Sequence, residues 1–179
     1  MSIGSIYLES VRKRFRSYKT MGDKSLERLD EEQLHWQPDP GSNSVYQIVR
    51  HVSGNMQSRW TDFLTTDGEK PWRNRDTEFE AGNASKAEII ALWEKGWSCL
   101  LQTLDSLQET DLEKTVHIRT EPHTVIDAIN RQLAHIPSHV GQIMYIAKML
   151  LKDQWESLSI PKGRSEDFNR AMSGKPAGL

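Results

Sequence analysis

The stretch VIDAINRQLAHIPSHVGQIMYIAKMLL, residues 125–151, decides the fold class of this chain. Its apolar residues follow one another mainly at steps of three and four positions. That spacing places them on one face of an α-helix, whereas a half-buried strand would show a step of two. The stretch therefore predicts a long amphipathic helix whose apolar face carries Val125, Ile129, Leu133, Ile136, Val140, Ile143, Met144, Ala147, Leu150 and Leu151.

Three earlier segments show the same helical spacing. The first carries Val11, Phe15, Tyr18, Gly22, Leu26 and Leu29. The second carries Val45, Ile48, Val49, Val52, Met56, Trp60, Phe63 and Leu64. The third carries Ile89, Ile90, Trp93, Trp97, Leu100, Leu101, Leu104 and Leu107. Four long amphipathic segments in one chain predict an all-α protein, and specifically a four-helix bundle.

Capping residues indicate where three of these helices begin. A hydroxyl side chain followed three positions later by Gln, Glu or Asp supplies partners for the free amides of a first helical turn. Such pairs occur at Ser44 and Gln47, at Ser85 and Glu88, and at Thr124 and Asp127. They predict starts for the second, third and fourth helices that agree with the apolar spacing.

The segments between the helices differ in length and pattern. The turn sequence Pro-Asp-Pro-Gly at residues 38–41 separates the first helix from the second. Residues 67–84 form a long connection between helices 2 and 3, long enough for a crossover rather than a tight hairpin. Residues 115–119 alternate and are followed by Pro122, which predicts either a small β-ribbon or an extended loop before helix 4.

Composition excludes several classes of protein. The 179 residues include 23 basic and 25 acidic ones, a balance that argues against nucleic acid or an anionic membrane as the main partner. The single cysteine, Cys99, excludes an internal disulfide and a thiolate zinc finger. Without a signal-peptide core or a membrane-spanning run, we expect a cytoplasmic protein. We also expect one domain over residues 1–168 and a flexible tail over residues 169–179.

The histidines are the strongest candidates for chemistry. His135 and His139 lie four positions apart in the predicted fourth helix, so they project from one face about 40° apart in direction. His51 lies beside the apolar stripe of the second helix. Two interpretations stay open at this point, a metal site and three solvent-exposed histidines. Gly54 and Gly141 favour the first, because glycine inside a helix usually serves close packing or a nearby ligand.

Several motifs in order resemble a known superfamily. They are WQPDPGSNS at residues 36–44, His51, NMQSRWTDF at residues 55–63, and HxxxHVGQI at residues 135–143. From residue 3 to 168 the chain is similar to the DinB-like (YfiT-like) superfamily of metal-binding four-helix bundles. Within it, the chain most resembles a bacterial branch without assigned function.

The resemblance implies a divalent metal ion, with zinc or nickel the best suited, held by His51, His135 and His139. Relatives include transferases that use low-molecular-weight thiols such as bacillithiol or mycothiol, and a thiol-dependent isomerase. We therefore expect a metal-dependent enzyme that transfers a thiol to a small-molecule electrophile or performs hydrolysis. The alternative is a noncatalytic metal- or ligand-binding bundle with a role in stress response. Homodimers are common in similar proteins, so a dimer is expected in either case.

Asn55 and Gln142 lie one turn or less from the implied ligands, where they would either contact the ligands or the substrate, or instead face solvent or pair between helices. Pro137 lies between His135 and His139, where it removes a helix hydrogen bond. We expect it to kink the fourth helix, which would either open a pocket beside the metal or distort the site.

The other candidate residues favour structural roles. His35 is predicted to pack at the surface, whereas His117 and His123 flank the predicted ribbon and could at most line a pocket. Cys99 is predicted to be a buried small apolar residue, because no basic neighbour would stabilise a thiolate. The basic run at residues 12–16 is predicted to be a solvated helix face.

Overall fold

The computed structural model describes residues 1–174. Helices account for 66% of it, accompanied by one two-stranded sheet, so the all-α class fits. The elements in chain order are α1 (Ile3–Arg28), α2 (Glu31–His35), α3 (Val45–Trp60), α4 (Lys86–Ser106), β1 (Thr115–Ile118), β2 (Glu121–Thr124), α5 (Val125–Leu151) and α6 (Ser165–Ser173). Short 3-10 turns lie at Asp76–Phe79, Glu109–Asp111 and Lys152–Gln154.

The predicted helix starts are confirmed. Ser44 and Ser85 each form a complete capping box with the residue three positions later. Thr124 accepts a hydrogen bond from the backbone N–H of Asp127 at 3.1 Å. These caps satisfy amides that have no partner inside the first turn, and they fix the first residues of α3, α4 and α5.

The four long helices share one apolar core. α3 packs along α4 and against α5, and α1 packs against α5 and α4. Large aromatic side chains fill the interior, where the ring of Phe15 meets that of Trp97 edge to face at 6.5 Å. Trp93, on the same helix as Trp97, is also fully buried. The inward faces are those that the apolar spacing predicts.

The basic run on α1 is not a purely solvated face. Arg12 is partly buried, and its guanidinium donates to the carbonyl oxygens of Leu104 at 3.0 Å and Leu107 at 2.8 Å. The last carbonyls of a helix have no intrahelical donor, so Arg12 caps the end of α4. The prediction of a solvated face at residues 12–16 is therefore wrong for Arg12.

Helix α5 continues through Pro137 without interruption from Val125 to Leu151. The missing proline N–H removes one hydrogen bond of the helix. Ile136 and Val140 are fully buried on either side of the proline, so core packing holds both halves of the helix in place. The helix therefore carries His135 and His139 on either side of Pro137 without a break.

Residues 115–124 form a β-ribbon rather than an extended loop. The two strands pair antiparallel from Thr115 opposite Thr124 to Ile118 opposite Glu121. Their two-residue turn, Arg119 and Thr120, has φ values of 54° and 65°. Asp67 holds this turn by accepting from both backbone N–H groups, at 2.9 and 2.7 Å. The long connection thus fastens the hairpin.

Residues 61–85 connect α3 to α4, which confirms the long connection between the second and third long helices. The 3-10 turn within it, Asp76–Phe79, packs against α3. Glu78 lies in this turn and is buried. The connection therefore brings a carboxylate to the surface of α3.

The sequence interpretation includes neither α2 nor α6. α6 crosses the predicted boundary at residue 168, and all its side chains are outside the core. Residues 169–173 of the predicted flexible tail belong to this helix, whereas residues 175–179 lie outside the described residues. Within residues 1–174, every helix is too short or too polar to cross a membrane.

Candidate metal centre

Three histidines from two helices point their ring nitrogens at one place. His51 comes from α3, and His135 and His139 come from successive turns of α5. The Nε2 atom of His135 lies 3.3 Å from that of His51 and 3.2 Å from that of His139. One nitrogen from each of the three rings lies within 4.8 Å of the other two. The i, i+4 spacing on α5 and the packing of α5 against α3 together produce this cluster.

The cluster is not a set of three exposed histidines. His51 is only 5% exposed, and His135 and His139 are half-buried. The sequence placed His51 beside the apolar stripe of its helix, and the structure buries that position because the connection after α3 covers it. The open alternative of three solvent-exposed histidines is therefore wrong.

A buried ion pair orients His51. Its Nδ1 lies 2.9 Å from Glu78 Oε2, and both Glu78 oxygens accept from Arg73, at 2.8 and 3.0 Å. Burial favours a raised pKa for Glu78, but hydrogen bonds from His51 and Arg73 outweigh it and lower the pKa. The ionised carboxylate only accepts hydrogen bonds, so His51 carries its proton on Nδ1. Its Nε2 lone pair then faces the other two histidines.

Gly54 makes room for this ion pair. A Cβ atom at Gly54 would collide with Glu78 Oε1 and lie 3.0 Å from Glu78 Cδ. The expectation that Gly54 serves close packing is thus confirmed. The same expectation is wrong for Gly141, where a Cβ would have no neighbour within 4 Å among residues 1–174.

His139 has the same proton arrangement as His51. Its Nδ1 donates to Gln142 Oε1 at 2.8 Å, which leaves a lone pair on Nε2. Burial lowers the pKa of His139, although the bond to Gln142 opposes this shift. Gln142 therefore contacts the cluster, and it fixes the tautomer that a metal ligand needs.

His135 lies between the other two rings. Burial, together with the nearby His139 and His51, lowers its pKa to about 4, so it is neutral at pH 7. His51 and His139 both offer lone pairs to its Nε2, which carries one proton at most. Without a cation, at most one of the two short contacts is a hydrogen bond, and the other has no proton between its two nitrogens. Its Nδ1 is buried and has no hydrogen-bond partner within residues 1–174.

These distances fit a tetrahedral metal ion. Two nitrogens bound to one zinc ion at about 2.0–2.1 Å and at the tetrahedral angle lie about 3.3–3.4 Å apart. The two measured Nε2 separations are 3.3 and 3.2 Å. Three neutral imidazoles suit zinc, nickel and related first-row ions. The three histidines could therefore hold one such ion and leave coordination positions free.

A cavity of about 470 Å³ opens beside His51 and His135. Asn55 lines it and is buried, and its Oδ1 accepts from Gln132 Nε2 at 3.1 Å. Asn55 thus links α3 to α5 at the cavity wall and contacts none of the three histidines through a hydrogen bond within residues 1–174. The cavity gives a small molecule access to the histidine cluster.

The remaining candidates lie outside the cluster. His35 Nε2 pairs with the carbonyl oxygen of Ala84 at 2.8 Å, in the packing role predicted for it. His117 lines the cavity, which is the largest role that the sequence predicted for it. His123 pairs with Asp127 at 2.6 Å. Cys99 is half-buried and does not line the cavity.

The functional residue that sequence reasoning missed is Glu78. It lies 27 positions from His51, in a connection without helical spacing, and nothing in its local sequence marks it. Gly54 is the one indirect signal, because an unexplained glycine inside a helix indicates a close neighbour.

Comparison with known proteins gives one result. A family model described as "Protein of unknown function (DUF1572)" matches residues 2–164, which is most of the chain. A search of curated proteins finds no match.

Proposed function

The chain belongs to the DUF1572 family of proteins of unknown function, and we propose that it is a divalent-metal-dependent enzyme of the DinB-like four-helix-bundle type. The pairing of α3 with α4 and α5, and of α1 with α5 and α4, supports the bundle. The resemblance rests on the motif at residues 36–44, on His51 and residues 55–63, and on the HxxxHVGQI motif at residues 135–143.

One observation carries the proposal. The Nε2 atoms of His51 and His139 both lie at distances from Nε2 of His135 that suit a shared metal ion, at the edge of a cavity large enough for a small molecule. A purely structural metal site has four protein ligands and no open position, whereas a catalytic one has three. The three-histidine set beside a cavity therefore favours catalysis over a noncatalytic role.

Each residue of the centre has a distinct task. The three histidines would hold zinc or nickel, and a bound divalent ion would lower the pKa of a water or thiol toward neutrality. Glu78 and Gln142 hold the Nδ1 protons of His51 and His139, so that both rings keep their lone pairs on the cluster side. Burial keeps His135 neutral and ready to bind at pH 7.

The nucleophile would come from outside the chain. Cys99 is the single cysteine, and it does not line the cavity. Thiol transfer would therefore use a low-molecular-weight thiol such as bacillithiol, and hydrolysis would use water. In both reactions the electrophile is a small molecule that enters through the cavity.

Metal analysis tests the ligand set. We expect about one zinc or nickel ion per chain in purified protein, and its loss in His51→Ala, His135→Ala and His139→Ala. His117→Ala is the matched control, since His117 lines the same cavity, is exposed and lies outside the cluster. Unchanged metal content in the three cluster variants would contradict the ligand assignment.

Activity analysis separates catalysis from metal storage. The metal-loaded protein is incubated with a panel of electrophiles, with and without added thiol, and with a panel of esters and amides. We expect turnover that a chelator abolishes and that His35→Ala, outside both the cavity and the cluster, retains. A protein that binds the metal through all three histidines but turns over none of these compounds would support the noncatalytic alternative instead.

A further inference from the structure

Arginine dominates the wall of the cavity beside His51 and His135. Five arginines line it, from α3, the connection after α3, the hairpin turn and α5: Arg59, Arg73, Arg75, Arg119 and Arg131. No lining residue within the described chain is acidic. A concave surface with one sign of charge concentrates ligands of the opposite sign.

Carboxylates behind the wall neutralise two of the five arginines. Arg73 forms the two-bond pair with Glu78 described above. Arg119 donates through Nε to Glu69 Oε2 at 2.9 Å. These two guanidinium groups are held in place by ion pairs, so their positions do not depend on a ligand.

Two other arginines have weaker partners. Arg131 Nη1 lies 3.8 Å from Glu121 Oε2, beyond hydrogen-bond distance, and half of its side chain is exposed. Arg75 lies 5.1 Å over the ring of Phe79, and no carboxylate within residues 1–174 is within 4.0 Å of it. Both can turn toward an anion in the cavity.

Arg59 is buried like Arg73, but within residues 1–174 it has no hydrogen-bonded carboxylate. Its side chain is only 11% exposed, and its Nη1 is 3.8 Å from a Glu69 oxygen that already accepts from Arg119. Gly68 packs directly over it, and a Cβ there would lie 3.1 Å from Arg59 Cδ. Burial lowers the pKa of Arg59 to about 10, which leaves it charged at neutral pH.

Donors without acceptors gather around this cavity. Within residues 1–174, four buried side-chain atoms have no hydrogen-bond partner, and three of them belong to lining residues: Arg59 Nη1, Trp60 Nε1 and His135 Nδ1. Folded proteins satisfy nearly all buried polar atoms, so a cluster of exceptions calls for an explanation. All three atoms are nitrogens that would donate once His135 Nε2 serves as a ligand, and protein atoms cover each of them, so an acceptor would reach them only after a side chain moves.

We propose that the cavity binds a small organic anion whose carboxylate or phosphate group accepts hydrogen bonds from Arg59. The planar guanidinium matches the geometry of both groups. Trp60 and Phe63, stacked at 4.6 Å, supply an apolar surface for the rest of the molecule. The cavity volume of about 470 Å³ is typical of a binding site for a small organic molecule. Since His51 and His135 line the same cavity, the substrates of the proposed enzyme would be small organic anions. In this respect the inference rests on the proposed function.

Binding of simple aromatic probes tests the anion site. Benzoate and phenyl phosphate represent the two oxyanions, and benzamide is the neutral match. Each is titrated into the full chain by calorimetry, once with chelator and once with one equivalent of zinc. We expect both anions to bind at least tenfold more tightly than benzamide, with or without zinc, and the tighter of the two identifies the oxyanion.

Variants assign the binding to Arg59. We expect Arg59→Gln to weaken binding of both anions at least tenfold. Arg14→Gln should leave binding unchanged, because Arg14 is exposed and outside the cavity. Arg131→Gln, at a half-exposed position, should weaken binding severalfold and serves if Arg59→Gln does not fold. Equal binding of benzamide and benzoate, or wild-type affinity in both cavity variants, would overturn the inference.

Metal content keeps the two proposals distinguishable. We expect Arg59→Gln to retain its metal ion while it loses the anion. If instead the histidine variants leave metal content unchanged and Arg59→Gln still loses the anion, the proposed metal function fails and the anion site stands.

Discussion

Glu78 determines how His51 faces the cluster. The carboxylate accepts one hydrogen bond from Nδ1 of His51 and two from Arg73. The histidine pair on α5 can be found from its spacing alone, because both residues lie on one helix. Glu78 could not be found in this way, since its partner lies across 27 residues of sequence and the contact depends on the path of an irregular connection.

Replacing Glu78 tests this role. We expect Glu78→Gln to weaken metal binding about 10–100-fold, because the proton position on His51 is no longer fixed. The change also leaves the buried Arg73 without its carboxylate and should lower the free energy of unfolding by about 3–5 kcal/mol. Chelator competition and urea unfolding measure the two effects. The control is Glu80→Gln, an exposed neighbour; equal metal affinity in both variants would show that Glu78 does not position His51.

His135 makes the metal-free protein sensitive to pH. Its pKa is lowered from 6.5 to about 4 by burial, so the unfolded chain takes up the proton first. The contribution of neutral His135 to the free energy of unfolding is therefore complete above pH 6.5 and is lost as the pH falls toward 4. The lowered pKa of Glu78 makes stability depend on pH only below about pH 4.5, its ordinary pKa, and so does not affect a titration from pH 7.5 to 5.

We expect urea unfolding with chelator to show a smaller loss of stability over that range in His135→Gln than in the natural chain. The residual slope of the variant would come from His139, whose pKa is also lowered. Identical slopes in the two proteins would contradict the burial of a neutral His135.

At the scale of elements, two helical glycines form a matched pair. Alanine favours a helix over glycine by about 0.5–1 kcal/mol. At Gly141 on α5 the new methyl would meet open space, so Gly141→Ala should raise the free energy of unfolding by about that amount. At Gly54 on α3 it would displace Glu78, so Gly54→Ala should lower that free energy by about 1–3 kcal/mol.

Urea unfolding of the two glycine variants measures the contrast directly. We also expect Gly54→Ala to bind metal more weakly, because a displaced Glu78 releases His51. A stabilised Gly54→Ala with unchanged metal affinity would mean that the ion pair does not require this glycine.

The elements differ in how well the sequence predicts them. The starts of α3, α4 and α5 are encoded in adjacent capping residues, and their inward faces in the apolar spacing. The hairpin needs a distant contact, the carboxylate of Asp67 on the turn, and the sequence leaves ribbon and loop both open there. The short helix α2 and the exposed α6 have no apolar repeat long enough to stand out.

At the scale of the whole molecule, metal binding should couple to folding. His51 lies on α3 and the other two histidines on α5, so one ion would join two helices through residues as far apart in sequence as His51 and His135, 84 positions. An ion that binds only the folded state at 100 times its dissociation constant adds about 2.7 kcal/mol to the free energy of unfolding. We expect zinc to raise the melting temperature of the natural chain and of His117→Ala.

The variant His139→Ala should lose this response. An equal zinc-dependent rise in His139→Ala would place the stabilising ion elsewhere on the protein.

The sequence predicts the three histidines of the candidate metal centre better than the cavity beside them. Helical spacing and resemblance identify the three histidines, because helices that share one core turn their inner faces toward one another. The arginine-rich cavity is different: its wall is assembled from α3, the long connection, the hairpin turn and α5, and no single segment shows the pattern. Such a site depends on how elements meet, which local sequence does not encode.

The most direct test of the metal centre is a crystal structure of zinc-loaded protein with anomalous data at the zinc edge. We expect one anomalous peak per chain, about 2.0–2.1 Å from Nε2 of His51, His135 and His139, with at least one further ligand that is not from the protein. A peak at another position, or zinc-loaded crystals in which the three rings have no ion between them, would contradict it.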